Sequence, residues 1–201
     1  METTAQALIE SELAGSRAAI NAVYADEAYR SAIGEVAECY LDALQAGKKL
    51  LFAGNGGSAA DAQHIAGELV SRFHFDRPGL AAISLSTDTS IMTSIGNDYG
   101  YDRLFARQIE ALGQPGDVFT AITTSGNSEN ILQGIEAARA KGLKVVGMTG
   151  ETGGKMATHC DLVLHAPSSS TPRIQECHLV TYHLLCAYVE SALFGSLAEG
   201  R

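Results

Sequence analysis

The chain opens on two helical stripes and then changes period. Ala5, Leu8, Ile9 and Leu13 recur three and four residues apart, as do Ile33, Val36, Ala37, Tyr40, Leu41 and Leu44. That spacing puts each set on one face of a helix, and Gly47 is suited to end the second. From Lys48 onward, short apolar runs alternate with helical stripes. The runs predict strands over residues 49–53, 81–85, 117–122, 144–148 and 161–164. Helices are predicted over residues 58–73, 88–95, 102–112 and 128–140. A last helix is predicted from Pro172, a residue suited to a first turn, to about Leu193. Between Leu179 and Val189 it is apolar nearly all round, which predicts burial.

Such alternation gives a parallel sheet covered on both faces. The expectation is one α/β domain over residues 1–201. It comprises a helical arm over 1–47, then a doubly wound five-stranded parallel core and C-terminal helix over 48–201. The striped helices ahead of the first strand must bury their apolar faces on the sheet or on a partner, and a homo-oligomer is the simpler assumption.

Two loops stand out against this pattern. Val118–Ile122 leads into Thr123-Thr124-Ser125-Gly126-Asn127-Ser128, which leads into a helix. Gly126 lets the backbone turn, and Ser128 or Asn127 can cap the helix. Hydroxyls beside free N–H groups at a helix start suit a phosphate dianion, although the same residue types also make a plain capped turn. The second loop, Gly54-Asn55-Gly56-Gly57-Ser58, joins a buried strand to an Ala-rich helix. Ser58 with Asp61 resembles a capping box. Both loops belong at the carboxyl edge of the sheet, where open α/β folds bind ligands. Neither carries the Gly-Lys-Ser/Thr of a P-loop or the Gly-x-Gly-x-x-Gly dinucleotide pattern, so a small phosphorylated metabolite fits better than a nucleotide.

Composition narrows the classes. The chain has 201 residues, 46% hydrophobic and 18% charged, an ordinary globular balance. A formal net charge of −9 without a basic run argues against nucleic acid. The start, Met1-Glu2-Thr3-Thr4, shows no basic-then-apolar leader, and no apolar run approaches the ~20 residues of a membrane span. Cys39, Cys160, Cys177 and Cys186 form no C-x-x-C pair, so they read as core thiols in a reducing cytoplasm.

His64 and Glu68 lie four apart on the helix after the Gly54–Ser58 loop, one face of a turn. That spacing suits a divalent metal or an ordinary surface hydrogen bond. Gln175 and His183 on the last helix could join them in a mixed N/O site, yet eight residues span about 12 Å of helix. Leaning side chains, a distorted first turn or a ligand from another subunit would each resolve this. Asn97 and Asp98 read as turn residues able to hold sugar hydroxyls. Arg72 could reach an anion or pair with an acid, and His74, His159, His165 and His178 have no evident partner.

The run Gly54 to His64, then Glu68, resembles the sugar isomerase (SIS) domain family. Thr123 to Ser128, and Arg173-Ile174-Gln175-Glu176-Cys177-His178 with His183, are similar to two further motifs of a heptose-phosphate-isomerising branch. The resemblance covers nearly the whole chain and implies a flavodoxin-like sheet. It implies phosphate binding by Thr123, Ser125 and Ser128, and a sugar lined by Asn55, Gly56, Gly57, Asn97, Asp98 and Thr124. It also implies one zinc ion per subunit on His64, Glu68, Gln175 and His183. Glu68 and His183 would be the acid–base pair, with Glu68 and Gln175 also touching substrate. The implied reaction converts sedoheptulose 7-phosphate to D-glycero-D-manno-heptose 7-phosphate, an early step toward the heptose of lipopolysaccharide core or capsule. The implied assembly is a cytoplasmic homotetramer with sites near subunit boundaries. Thr123 stands where the family more often has Ser, and Gly67 in a helix interior is also less usual. A non-catalytic relative that binds a replication initiator protein shares the Gly54–Ser58 loop and the Arg-Ile-Gln-Glu stretch but lacks counterparts of Glu68 and His183. A third reading, a sugar-phosphate-sensing domain, usually comes with a DNA-binding domain, and none is evident here.

Overall fold

Five parallel strands, β1 (Leu50–Gly54), β2 (Ala82–Ser84), β3 (Val118–Ile122), β4 (Lys144–Thr149) and β5 (Leu162–His165), form one sheet in the order 2-1-3-4-5. The computed structural model describes residues 4–198. The Met1-Glu2-Thr3 start therefore lies outside the described residues.

Alternate strand residues face opposite layers. Leu50, Phe52, Val118, Ile122, Val146 and Met148 join the core shared with α1 (Ala5–Ala25), α2 (Glu27–Gln45), α3 (Gly57–Val70) and α7 (Thr171–Ala198). Leu51, Ala53, Phe119, Ala121 and Val145 join the opposite core, under α5 (Leu104–Leu112) and α6 (Glu129–Ala140). The remaining helix, α4 (Thr89–Tyr99), follows β2. Buried polar contacts fix the layers: Tyr40 Oη lies 2.6 Å from Thr120 Oγ1, and Lys49 Nζ lies 2.5 Å from Asp117 Oδ2.

The doubly wound parallel sheet is as the sequence pattern predicts, and this strand order is the flavodoxin-like one. The chain builds β1 and β2, then returns to the other side of β1 for β3. The crevice between the β1 and β3 loops is therefore the switch point where such sheets bind ligands.

Four local expectations need correction. Ser58 caps nothing: α3 starts at Gly57 behind Gly56 in a positive-φ conformation, so Ser58 is already inside the helix and buried. Asn97 and Asp98 are not in a turn. Asp88 accepts from the Ile91 N–H at 2.9 Å, and the helix it starts runs on to Tyr99, ending at Gly100 with φ 86°. The helix after β1 stops at Val70, leaving Arg72 exposed in the following loop. The middle of α7 is not buried all round, because Leu179, Leu184 and Tyr188 remain exposed in the single chain. Leu8, Ile9 and Leu13 of α1 are exposed in the same way.

Candidate active site

The β3–α6 loop gathers hydroxyls. Thr123 Oγ1 lies 2.9 Å from Ser128 Oγ and 3.4 Å from Ser125 Oγ. Ser128 occupies the N-cap position of α6 but makes no side-chain cap bond. Its hydroxyl is thus turned to the loop rather than used on the helix. Gly126 has φ 67°, and a Cβ there would sit 2.0 Å from the Gly153 carbonyl oxygen. The loop can fold tightly on the 150–154 turn only with glycine at that point. Thr124, Ser125 and Asn127 line a cleft of about 310 Å³, with Gly150, Glu151, Thr152, Ser168, Ser169 and Thr171 around the rest of it. A larger hollow of about 630 Å³ lies at the opposite edge, between α2 and the first residues of β3 to β5. Its floor is mainly aliphatic and it lies away from both loops, so the smaller cleft is the candidate site.

Asn55 is held rigidly. It exchanges side-chain hydrogen bonds of 2.9 Å with the buried Asn130, and Tyr101 Oη donates to its Oδ1 at 2.8 Å. Its carbonyl oxygen is doubly used, so the free valence it offers a ligand is an N–H. Asn130 and Tyr101 were not singled out by sequence reasoning. Asn97 and Asp98 bond each other at the exposed end of α4, with Asn97 Nδ2 donating to Asp98 Oδ1 at 2.7 Å, and reach neither loop within the chain.

Helices α3 and α7 run side by side in the same direction. Gln175 packs on Gly57, where a Cβ would lie 2.3 Å from its Nε2. Seven residues further along each helix, His64 meets Tyr182, with 2.8 Å between Nδ1 and Oη. His64 Nε2 lies 3.0 Å from Glu68 Oε1, and the His64 and His183 ring centroids are 5.1 Å apart. One ligand atom from each of His64, Glu68 and His183 lies within 4.8 Å of the others. Two imidazoles and a carboxylate in that compass fit a divalent metal with nitrogen and oxygen preferences. Gln175, on Gly57 and about 12 Å of helix from His183, lies at the other end of the pairing in the single chain.

Burial and the neighbouring His64 lower the pKa of His183, with Glu68 opposing them, which favours neutral imidazole. Asp61, one turn before His64, has a buried Oδ2 without a partner, and burial raises its pKa to about 6. Behind the group, Phe73 lies against His183 at 5.5 Å between centroids. Phe73 and His74 are held by the buried carboxylate of Glu190, which accepts from their N–H groups at 2.8 and 2.6 Å and from Arg77 Nε at 3.0 Å. Arg77, not Arg72, is the cation that matters to this loop.

A family profile described as the SIS domain matches residues 14–150. The chain is 55% identical over 186 residues to a phosphoheptose isomerase of Aneurinibacillus thermoaerophilus, covering 92% of this chain and 94% of that protein. It is 52% identical over 195 residues to a phosphoheptose isomerase of Burkholderia pseudomallei, covering 97% and 99%. Among solved structures, a phosphoheptose isomerase from Neisseria gonorrhoeae superposes with TM-score 0.88 at 40% identity, covering 94% of this chain and all of that one. With a hydroxyl loop at the switch point and relatives matched over nearly their whole length, the chain belongs to the SIS domain family, among its phosphoheptose isomerases.

Proposed function

We propose that this isomerase interconverts sedoheptulose 7-phosphate and D-glycero-D-manno-heptose 7-phosphate, feeding nucleotide-activated heptose synthesis for lipopolysaccharide core or capsule. The observation that carries the reading is the convergence of Glu68 and His183 beside His64. A non-catalytic partner-binding protein has no need of that group, and the high-identity relatives reported above carry the isomerase name.

Moving a carbonyl between C2 and C1 requires a base to move a proton between the two carbons and a second group to serve the oxygens. Glu68 is the proposed base, and neutral His183 the group that passes protons at the oxygens. Thr123, Ser125 and Ser128 hold the phosphate at the start of α6. Asn55, Gly56, Gly57, Thr124 and Gln175 line the sugar, with Asn97 and Asp98 brought in from the α4 end. His64, Glu68 and His183 would hold a zinc ion, with the fourth ligand, Gln175, coming from another subunit, and that ion would polarise the carbonyl and stabilise the enediol charge.

Gly57, at the loop, and Glu68 are eleven residues apart, about 16 Å of helix. That span supports sites completed at subunit boundaries. Exposed Leu8, Ile9, Leu13, Leu179, Leu184 and Tyr188 supply apolar surface for the contact. We therefore propose a homotetramer acting in the cytoplasm. No helix among the described residues is long and apolar enough to cross a membrane. Light scattering should give four chain masses at micromolar concentration, and a single-chain mass would defeat the tetramer. Purified protein given sedoheptulose 7-phosphate should produce the aldose phosphate, lose that activity to a chelator and regain it with zinc. No product from zinc-loaded protein would refute the function.

A further inference from the structure

Tyr182 is buried immediately before His183 on α7. Its ring meets the His64 ring edge-on at 5.3 Å and the His183 ring edge-on at 5.1 Å. Its hydroxyl lies 2.8 Å from His64 Nδ1, while His64 Nε2 faces Glu68 Oε1 at 3.0 Å. A neutral imidazole has one N–H and one lone pair, so its two partners select the tautomer. Ionised Glu68 only accepts. Without metal, Nε2 therefore carries the proton toward Glu68, and Nδ1 accepts from the Tyr182 O–H.

A metal takes a nitrogen lone pair, so loading at Nε2 moves the N–H to Nδ1. The Tyr182 hydroxyl must then turn from donor to acceptor, which a phenol can do. Its own proton then needs an acceptor. Asp61 Oδ2 is buried without a partner one turn before His64, and its charge is felt at the Tyr182 phenol.

We infer that Tyr182 is a positioning residue for the ligand group, holding His64 with Nε2 toward Glu68 and His183 and accommodating the tautomer change that loading requires. This rests on the proposed metal role of His64, Glu68 and His183. The test is zinc affinity by competition with a chromophoric chelator for wild type, Tyr182→Phe and His64→Ala. It is read together with histidine ring 15N shifts in zinc-free and zinc-loaded protein.

Phenylalanine keeps the ring and removes only the hydroxyl. Tyr182→Phe should weaken zinc binding by about 10–100-fold, the usual cost of losing a partner behind a metal-bound histidine. In wild type the His64 proton should sit on Nε2 without zinc and on Nδ1 with it, and in the zinc-free variant Glu68 alone should still keep it on Nε2. Wild-type zinc affinity in a folded Tyr182→Phe would overturn the inference. If His64→Ala weakens binding and Tyr182→Phe does not, only the role of Tyr182 fails. If neither does, the ligand reading fails with it. Should Tyr182→Phe not fold, the wild-type spectra decide, and a proton that stays on Nε2 in both states overturns the proposal.

Discussion

Glu68 and Glu190 belong to neighbouring helices, α3 and α7, and are kept in opposite ways. The Glu190 side chain is fully buried, with three donors from Phe73, His74 and Arg77. Arg77 in turn donates to the carbonyls of Leu69, Ser71, Pro78 and Glu68. Burial alone would raise the Glu190 pKa, yet those N–H groups and Arg77 hold it below the usual range. Glu68 keeps a side-chain exposure of 25% and, among the described residues, bonds only His64. A carboxylate with its acceptors used is part of the architecture, whereas one left open beside imidazoles is available for ligands and protons. The clasped acid also secures the backbone of the open one, because Arg77 donates to the Glu68 carbonyl.

The comparison breaks first, and hardest, at Glu190. Glu190→Ala leaves a buried guanidinium and two N–H groups without their acceptor, and should cost about 3–5 kcal/mol. Chemical denaturation should show it, with zinc giving no full rescue. Next in size is the proposed phosphate loop. If Ser125 and Ser128 hold the phosphate as proposed, Ser125→Ala with Ser128→Ala removes two donors to a charged group at about 1.5–3 kcal/mol each. Substrate affinity measured calorimetrically should fall by at least tenfold while the melting temperature stays close to wild type.

The pH dependence sharpens the contrast. Glu190 and Asp117 have pKa values lowered on folding, so they stabilise the fold above their unfolded values and lose that contribution as pH falls through the folded ones. Melting temperature should therefore decline on acidification below about pH 4.5, the ordinary glutamate value. Asp61 has the opposite sign: its pKa rises to about 6, so its ionised form costs stability above that pH and the cost fades below it. Asp61→Asn should stabilise the protein at pH 8 by on the order of 1–2 kcal/mol, discounted for partial exposure, with the gain vanishing near pH 4. The smallest effect lies beside Glu68. A Cβ at Gly67 meets nothing within 4 Å in the single chain, so Gly67→Ala should add about 0.5–1 kcal/mol to thermal stability. A loss instead would mean that a partner subunit occupies that space.

Much of this was legible in the sequence because the signals are local. The strands are apolar runs, the loops carry glycine and hydroxyls, and His64 with Glu68 is a single helical turn. What escaped depends on chain segments far apart. Arg77 and Glu190 are separated by 113 residues, and nothing in either neighbourhood announces the other. Asn130 and Tyr101 become visible only once α6 and the segment after α4 close on Asn55. The Gly150–Gly154 turn and the 168–171 segment could have been found, since both follow strand ends at the ligand edge. Asn97 and Asp98 misled because Gly96 and two turn-forming side chains were read as ending the helix that starts at Asp88, whereas it runs on to Tyr99 and stops at Gly100. The apolar sequence of α7 does not distinguish burial within the chain from burial between chains, and Leu179, Leu184 and Tyr188 belong to the second class or to solvent.

The central claim is that Glu68 is kept open for chemistry while its clasped counterpart holds the fold. Its most direct test is the turnover of sedoheptulose 7-phosphate by Glu68→Gln at saturating substrate, alongside its thermal melt with and without zinc. The account predicts a folded protein whose turnover falls by at least ~100-fold, the lower range for a general acid–base group. A folded Glu68→Gln that retains near-normal turnover would contradict it.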